Sequence, residues 1–164
     1  MIKLRELFDN PLSPIKTKDY SGTTEDFIEK TFNINGVKYI LYISHRDYFT
    51  LFDAKYFENI KLEEPFRIVT VEFAKTQGGE EITDISPGNS PLKVFGSIIN
   101  SIKRSVNDRD IIRFTAKTKE TSRVKLYNHL VKRFSGDVYV LKTIDNPYDK
   151  TYFLIPKVII GNQV

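Results

Sequence analysis

Two segments of this 164-residue chain hold residues whose types and spacing could do chemistry. The first is the turn Pro87-Gly88-Asn89-Ser90, which leads into a predicted helix at Pro91. Free backbone N–H groups and the positive end of the helix dipole can bind a phosphate or a pyrophosphate at such a turn. The alternative is an ordinary connection between a strand and a helix, which uses the same residue types.

The second segment is the predicted helix from Ser122 to Phe134, which contains a tyrosine and a histidine. A phenol can protonate a thiolate leaving group, so Tyr127 is a candidate general acid. The alternative is a core aromatic residue whose hydroxyl bonds to a buried partner, which is usual at helical spacing. His129 follows two residues later, on another face of the helix, where we expect it to be exposed.

Composition excludes several kinds of site. The chain has no cysteine, which excludes disulfides, zinc ribbons, iron–sulfur clusters and thiol nucleophiles. His45 and His129 are its only histidines, and we expect no metal site. No apolar run reaches the roughly 18 residues of a membrane-spanning helix, so we expect no membrane partner. Acidic residues interrupt the N-terminal stretch that a secretion signal would need.

Basic residues are concentrated in one segment of the chain. Residues 103–133 hold ten Lys or Arg and three Asp or Glu. Residues 1–102, in contrast, hold twelve Lys or Arg and fifteen Asp or Glu. Such a surplus can attract nucleic acid, phosphate or a coenzyme. We expect mostly solvated surface charge instead, because basic residues are common on exposed helix faces and no stacking-aromatic motif accompanies them.

Hydrophobic periodicity predicts the strands that position these segments. Alternation with a period of two predicts a hairpin over residues 25–44, with Asn35-Gly36 as its type I′ turn. The aromatic-rich stretch 48–57 fits a strand or a helical turn, and we expect it to lie in the core. Pro156 implies an edge position or a bulge in its strand. The further strands are predicted over 66–74, 81–86, 110–116, 138–144 and 151–160.

Two amphipathic helices are predicted between these strands. One begins at Pro91 after a cap at Asn89 or Ser90. Its apolar stripe consists of Leu92, Phe95, Ile99, Ile102 and Val106. The inward side chains of the other helix are Val124, Tyr127, Leu130, Val131 and Phe134. The strand–helix–strand step from residue 81 to residue 116 predicts a pair of parallel strands.

The order of these elements predicts a single α+β domain with a twisted, mainly antiparallel mixed sheet and two main helices. Residues 1–24 are expected to form a short helix and an extended arm, and residues 25–160 the sheet and helices. No internal repeat or linker divides the chain.

The stretch from Ile82 to Phe134 resembles the second half of the GNAT acetyltransferase superfamily. In that fold a strand, a phosphate-binding turn and a helix precede a further strand and a helix that often carries an L-Y pair. Leu126-Tyr127 takes that place here. The string Ser122-Arg-x-Lys-Leu-Tyr127 resembles a segment of small GNAT-like proteins of tailed bacteriophages. The resemblance implies a GNAT-like fold, acetyl-CoA or another acyl-CoA as cofactor, and N-acyltransferase activity.

The resemblance also implies two groups of site residues. The coenzyme-binding group consists of Gly88, Asn89, Ser90 and Arg123. The catalytic group moves protons: Tyr127 gives one to the departing thiolate, and Asp84 or Glu81 relays one from the acceptor amine, on a protein or a small molecule. The pantetheine arm is expected in a cleft between parted strands at 81–85 and 110–116.

The turn differs from the superfamily's usual R/Q-x-x-G-x-G/A pattern. The segment from Asp84 to Ser90 has one glycine, and Pro87 removes a backbone donor. The alternative to an enzyme is a non-catalytic viral protein on the same fold, either structural or acting on a host component. The resemblance to phage proteins implies a location in the host-cell cytoplasm or in the virion.

Overall fold

The computed structural model describes residues 14, 16–19, 27–34, 36–46, 57, 59–77, 80–82, 91–118, 120–134, 136 and 138–161. The strands in these ranges are β1 (Lys16–Asp19), β2 (Phe27–Ile34), β3 (Val37–Arg46), β4 (Ile68–Gln77), β5 (Glu80–Ile82), β6 (Ile111–Lys117), β7 (Tyr139–Asp145) and β8 (Asp149–Pro156). The α-helices are α1 (Pro91–Ser105) and α2 (Thr121–Phe134). A 3₁₀ turn at Lys157–Ile159 follows β8.

All eight strands belong to one sheet, in the order β1-β2-β3-β4-β6-β8-β7, with β5 paired to β4 beside this path. Paired strands are antiparallel except β4 and β6, which are parallel. The predicted α+β class, with one mainly antiparallel mixed sheet and two helices, is confirmed. The described helices are not long and apolar enough for any of them to cross a membrane.

The β2–β3 hairpin forms where alternation and turn chemistry predict it. Ile34 pairs with Val37, so two residues close the turn. Gly36 has a φ of 80°, a left-handed conformation that glycine adopts without a steric cost. Its N–H donates to Asn33 Oδ1 at 3.1 Å, which pins the turn.

The predicted N-terminal arm is described only in part. β1 lies within it and pairs with β2, where Thr17 is opposite Lys30. The predicted short helix at 3–8 lies outside the described residues.

The parallel pair differs from the predicted one. Parallel pairing was expected across the step from 81 to 116, but Ile111 of β6 pairs with Ile68 of β4. β5 instead folds back antiparallel on the far end of β4, where Ile82 pairs with Lys75. The buried strand β6 needs an apolar neighbour, and Ile68, Val69 and Val71 of β4 supply one, whereas the described residues of β5 are Glu-Glu-Ile.

Both helices cover one face of the sheet. Their inward residues meet the side chains of β3, β4 and β6 in one core, which includes Ile98, Ile102, Leu126, Leu130, Leu41, Phe73 and Phe114. Ile99, Ile102, Tyr127, Leu130 and Val131 are buried as predicted, and Val106 and Val124 pack against this core. The side chains of Leu92, Phe95 and Phe134 lie outside the described part.

Basic side chains from the sheet meet the carboxyl end of α1. Lys30 Nζ donates to Ser105 Oγ at 3.0 Å, and His45 Nε2 lies 3.0 Å from the Ser105 carbonyl oxygen. Helix carbonyls at this end lack partners within the helix, and the helix dipole favours positive charge there. These contacts help to hold α1 over β2 and β3.

The opposite face has a second core around Phe57. The ring of Phe57 is buried and meets Phe153 edge-on, with ring centroids 4.9 Å apart. The core position predicted for this residue is confirmed, while residues 48–56 lie outside the described part. Ile68, Ile111, Ile155 and Ile159 complete this core.

β8 lies between β6 and β7, so the edge position predicted from Pro156 is wrong. Pro156 is the last residue of β8, and pairing with β6 has already ended at Leu154. The carbonyl of Val138, the residue before β7, accepts from the N–H of Lys157, the residue after Pro156. Pro156 has no N–H, and none is needed there because β8 no longer pairs with β6 at this position.

A buried ion pair joins the beginnings of β4 and β6. Asp110 is 2% exposed, and its two carboxylate oxygens accept from the Arg67 guanidinium at 2.8 and 3.0 Å. The N–H of Asn107 donates to the same carboxylate at 2.6 Å. Three donors therefore converge on one buried charge, an arrangement that costs stability when the charge is removed.

We expect Asp110→Asn to lower the free energy of unfolding by about 1–3 kcal/mol, because it removes a buried acceptor of charge-assisted hydrogen bonds. Urea denaturation measures this difference. Asp145→Asn is the matched control, because this carboxylate lies 3.9 Å from Lys150 Nζ and is 73% exposed. The control should change stability by less than about 0.5 kcal/mol. Equal losses in the two variants would contradict the structural role of Asp110.

Candidate functional site

β4 and β6 separate part-way along their length. Their last paired residues are Val71 and Phe114. Beyond this point β6 continues beside β8, while β4 next gains a neighbour on that edge at Lys75, which pairs with Ile82 of β5. Residues 72–74 of β4 therefore lie between the two pairings that the described strands make on this edge, and we call this stretch the β4–β6 gap.

The hydroxyl of Tyr127 lies at this gap. It accepts a hydrogen bond from the backbone N–H of Phe73 at 3.3 Å, and the residue is 0% exposed. Its ring packs against Phe114 and meets Tyr152 edge-on, with centroid distances of 5.2 and 6.4 Å. Tyr127 thus gives a side-chain acceptor to a backbone N–H that β6 no longer pairs with.

The predicted helix stripe explains how Tyr127 reaches the gap. α2 contacts β6 and β8, and it buries Leu126, Tyr127 and Leu130 against them. A phenol can accept one hydrogen bond and also donate its own proton. Both predicted roles of Tyr127, core aromatic and proton donor, are compatible with this position.

Sequence reasoning missed a carboxylate beside the gap, that of Glu72. Successive strand side chains alternate between faces, so Glu72 lies on the face opposite Phe73, which is in the core under the helices. Glu72 is exposed. The available signal is a single acidic residue inside the apolar run 66–74, which fits the solvated face of a strand equally well.

The predicted cleft is corrected in one respect, because the strands that part are β4 and β6 and not the strands at 81–85 and 110–116. The backbone of Glu81 lies in β5 opposite Thr76, on the same edge of β4 as the gap. Arg123 is in the first turn of α2. The side chains of Glu81 and Arg123, and all of Asp84, Gly88, Asn89 and Ser90, lie outside the described residues, so their roles stay predictions.

The basic segment is divided between structural and exposed positions. Arg109 donates to the carbonyls of Pro65 and Glu63 at 2.7 and 2.9 Å. Arg113 Nε donates to Thr70 Oγ1 at 3.0 Å. His129 is exposed as expected. Four lysines of the segment are also exposed: Lys103, Lys117, Lys125 and Lys132. Part of the positive surplus therefore has a structural use, in tying neighbouring segments together.

Tyr152 is a second buried phenol next to Tyr127. Its hydroxyl donates to Asn128 Oδ1 at 2.6 Å. Burial, and after it the Asp145 carboxylate, raise the pKa of Tyr152 to about 12. Its proton is therefore held firmly at neutral pH, which suits a fixed hydrogen bond rather than proton transfer.

Among the residues that the structure describes, no three His, Asp or Glu side chains are grouped closely enough to hold a metal ion. No family model matches the chain, and no similar curated protein or solved structure is found.

The raised pKa of Tyr152 predicts a loss of stability in alkaline solution. An unfolded tyrosine ionises near pH 10, whereas the folded chain holds this proton until the pH reaches about 12. The stabilisation is complete below pH 10 and is lost as the pH rises through 12, by about 2–3 kcal/mol. Urea unfolding at several pH values should show the decline.

The free energy of unfolding should fall less steeply with pH in Tyr152→Phe, because this variant has no phenol proton to lose at that position. Tyr148→Phe is the control, since Tyr148 is 84% exposed, and it should leave the slope unchanged. Identical slopes in the unmodified chain and in Tyr152→Phe would contradict the assignment.

Proposed function

We propose that this chain is a phage-type protein of GNAT-like fold that works as an acyl-CoA-dependent N-acyltransferase at the β4–β6 gap. The observation that carries the proposal is the Phe73 N–H at the gap, with the Tyr127 hydroxyl 3.3 Å away. A backbone N–H that has left the strand ladder can bind the carbonyl oxygen of a thioester. A phenol beside it can protonate the sulfur that leaves.

The order of elements supports this proposal at the level of the fold. Five strands with antiparallel pairing precede α1, and β6 then runs parallel to β4 and is followed by α2 and a final hairpin. The strand–helix–strand–helix part of this order is what the segment from Ile82 to Phe134 shares with the acetyltransferase superfamily. In this proposal the pantetheine arm would lie where the two central strands β4 and β6 part.

Each residue at the gap would have a separate task. The acyl-CoA substrate supplies a thioester carbon that the acceptor amine can attack. Glu72, on the exposed face, would accept the proton that the amine loses as the new C–N bond forms. The Phe73 N–H would stabilise the negative charge on the carbonyl oxygen, and Tyr127 would give its proton to sulfur as the C–S bond breaks.

The coenzyme's pyrophosphate would be held by the predicted group Gly88, Asn89, Ser90 and Arg123. Binding of the thioester requires one local change, because the Phe73 N–H is already bonded to Tyr127. The hydroxyl has to release this N–H before the N–H can bind a carbonyl oxygen. Since Tyr127 is 0% exposed, its ring would also have to move before the thioester could reach the hydroxyl.

The same burial favours a second function. If the Tyr127 hydroxyl is a permanent partner of Phe73, the chain's own side chain fills the gap and no coenzyme enters. The protein is then a non-catalytic viral protein on the same fold, structural or acting on a host component. Either function would be carried out in the host-cell cytoplasm or the virion.

Calorimetric titration with acetyl-CoA distinguishes these functions. The enzyme should give a measurable heat and a rise in Tm, because a ligand that binds only the folded state stabilises it. A chain whose gap is permanently filled should give neither. No heat and no shift at millimolar acetyl-CoA would contradict the acyltransferase and favour the second function.

If acetyl-CoA binds, Tyr127→Phe should lower turnover by about 10²-fold or more, because it removes the proton donor and keeps the ring. The assay measures thiol release from acetyl-CoA with a panel of amines and lysine-containing peptides. Tyr152→Phe is the matched control, since it also removes a buried hydroxyl, and it should keep turnover within a few-fold. Equal losses in both variants would indicate a structural effect.

Glu72→Gln should lower turnover by about 10²–10⁴-fold, because the amide cannot take a proton from the acceptor amine. Heat of acetyl-CoA binding should be unchanged, since Glu72 lies on the face away from the helices. Glu29→Gln is the control: through Tyr42, Glu29 is in register with Glu72 two strands away. Full activity in Glu72→Gln would exclude this residue as the base.

A further inference from the structure

The charged residues of the two helices are all basic. α1 and α2 contain seven of the chain's 25 Lys or Arg and none of its 21 Asp or Glu. Both helices pack on the same face of the sheet, so this charge lies on one side of the molecule. Four of the basic side chains are described and exposed, namely Lys103, Arg104, Lys125 and Lys132. We call these four the basic helix face.

The spacing on α2 aligns its outward charges. Lys125, His129 and Lys132 are separated by four and three residues, which places them in one row along the helix. All three are exposed, whereas Leu126 and Leu130 are buried against the sheet. A polyanion that lies along α2 would therefore meet several of these side chains in succession.

Positive charge is also concentrated at the carboxyl end of α1. Lys30 Nζ donates to Ser105 Oγ at 3.0 Å. Burial, and after it the Arg104 guanidinium, lower the pKa of Lys30. Two positive groups are therefore close together here, and a bound anion would reduce their repulsion.

An exposed aromatic ring lies next to the start of α2. Tyr148, in the turn between β7 and β8, is 84% exposed. Its carbonyl accepts from the Thr118 N–H at 2.9 Å, and Thr118 Oγ1 donates to the Pro147 carbonyl at 3.3 Å. Thr118 precedes α2 by three residues and follows the exposed Lys117. The fold thus brings an aromatic ring to the basic segment, which has no stacking-aromatic motif in its own sequence.

The turn that carries Tyr148 is closed by two hydrogen bonds. The Asn146 N–H donates to the Asp149 carbonyl at 2.9 Å, and Asn146 Nδ2 donates to Asp149 Oδ1 at 2.9 Å. A ring on an ordered turn loses less conformational freedom on binding than a ring on a mobile one. Every nucleic-acid base can stack on such a ring, because every base has a π-face.

We propose that the basic helix face and Tyr148 together bind single-stranded nucleic acid. The Lys and Arg side chains would contact phosphates, and the Tyr148 ring would stack on a base. Contacts of these two kinds bind a strand without reading its sequence. The proposal is independent of acyl transfer, because none of these residues belongs to the β4–β6 gap.

The distribution of apolar side chains favours nucleic acid over an anionic membrane as the partner. A helix that binds a membrane surface buries an apolar face at the headgroup level. The apolar faces of α1 and α2 are already packed on the sheet. Among the described residues, the five exposed large hydrophobic side chains all lie outside both helices.

The salt dependence of binding measures the number of phosphate contacts. Each contact with a single strand contributes about −0.7 to the slope of log K against log salt concentration, so four contacts predict a slope of about −3. Fluorescence anisotropy with labelled oligo-dT, in the absence of acetyl-CoA, should give a dissociation constant on the order of 10–100 μM at physiological salt. Oligo-U of the same length is the RNA probe, and binding of either probe with this slope supports the proposal.

Lys125→Glu tests the basic helix face. It should weaken binding of oligo-dT by about tenfold at low salt and make the slope shallower by about 0.7. Lys38→Glu is the matched control, because it changes the net charge equally. Lys38 is exposed and precedes the core residue Tyr39 in β3, so it lies on the face away from the helices. It should change the affinity less than about twofold. Equal losses would show that binding follows net charge alone and would overturn the proposal.

Tyr148→Ala tests the stacking contact. It should weaken binding of oligo-dT by about tenfold and leave binding of a duplex of the same length unchanged, because the bases of a duplex are already stacked. Equal affinities of Tyr148→Ala and the unmodified chain for oligo-dT would contradict the role of this ring. The proposal as a whole is overturned if neither oligonucleotide binds at about 50 mM salt. It is also overturned if vesicles containing phosphatidylserine bind and the oligonucleotides do not.

Discussion

The hydrogen bond from the Phe73 N–H to the Tyr127 hydroxyl spans the one place where β4 and β6 stop pairing. A buried N–H without an acceptor costs about 1–3 kcal/mol, so the strands can part only where another group takes over. α2 supplies that group, and the rings of Phe114 and Tyr152 hold it in position. Catalysis or its absence depends on whether a substrate oxygen can replace this hydroxyl.

The two ends of the parallel strand pair are built differently. At the beginning, Arg67 and Asp110 bind β4 to β6 through a buried two-point contact, and Arg109 ties the neighbouring loop to the carbonyls of Glu63 and Pro65. At the other end the strands diverge around Tyr127. The Arg67–Asp110 contact keeps β4 and β6 in register, so a movement of Tyr127 at the gap need not disturb the rest of the sheet.

Local features of the fold could be predicted, and long-range ones could not. The turn at Gly36 and the buried stripe of α2 follow from residue chemistry over a few positions. The neighbour of β6 does not, because β4 and β6 are far apart in the sequence and local alternation does not specify which strands pair. The acceptor role of Tyr127 toward an N–H 54 residues away has no sequence pattern. Glu72 was missed because an acid at a site and an acid on a solvated face look alike in a strand.

The parallel pairing of β4 with β6 also bears on the order in which the chain folds. The contact between Arg67 and Asp110 joins residues 43 positions apart, whereas the β2–β3 hairpin closes over two. Closing a long loop costs entropy before its contacts form, so such pairings come late in folding. The hairpin layer can therefore assemble first, with β6 docking afterwards. In that order of events, contacts at Asp110 would act mainly on the rate of unfolding, because they would be absent from the transition state.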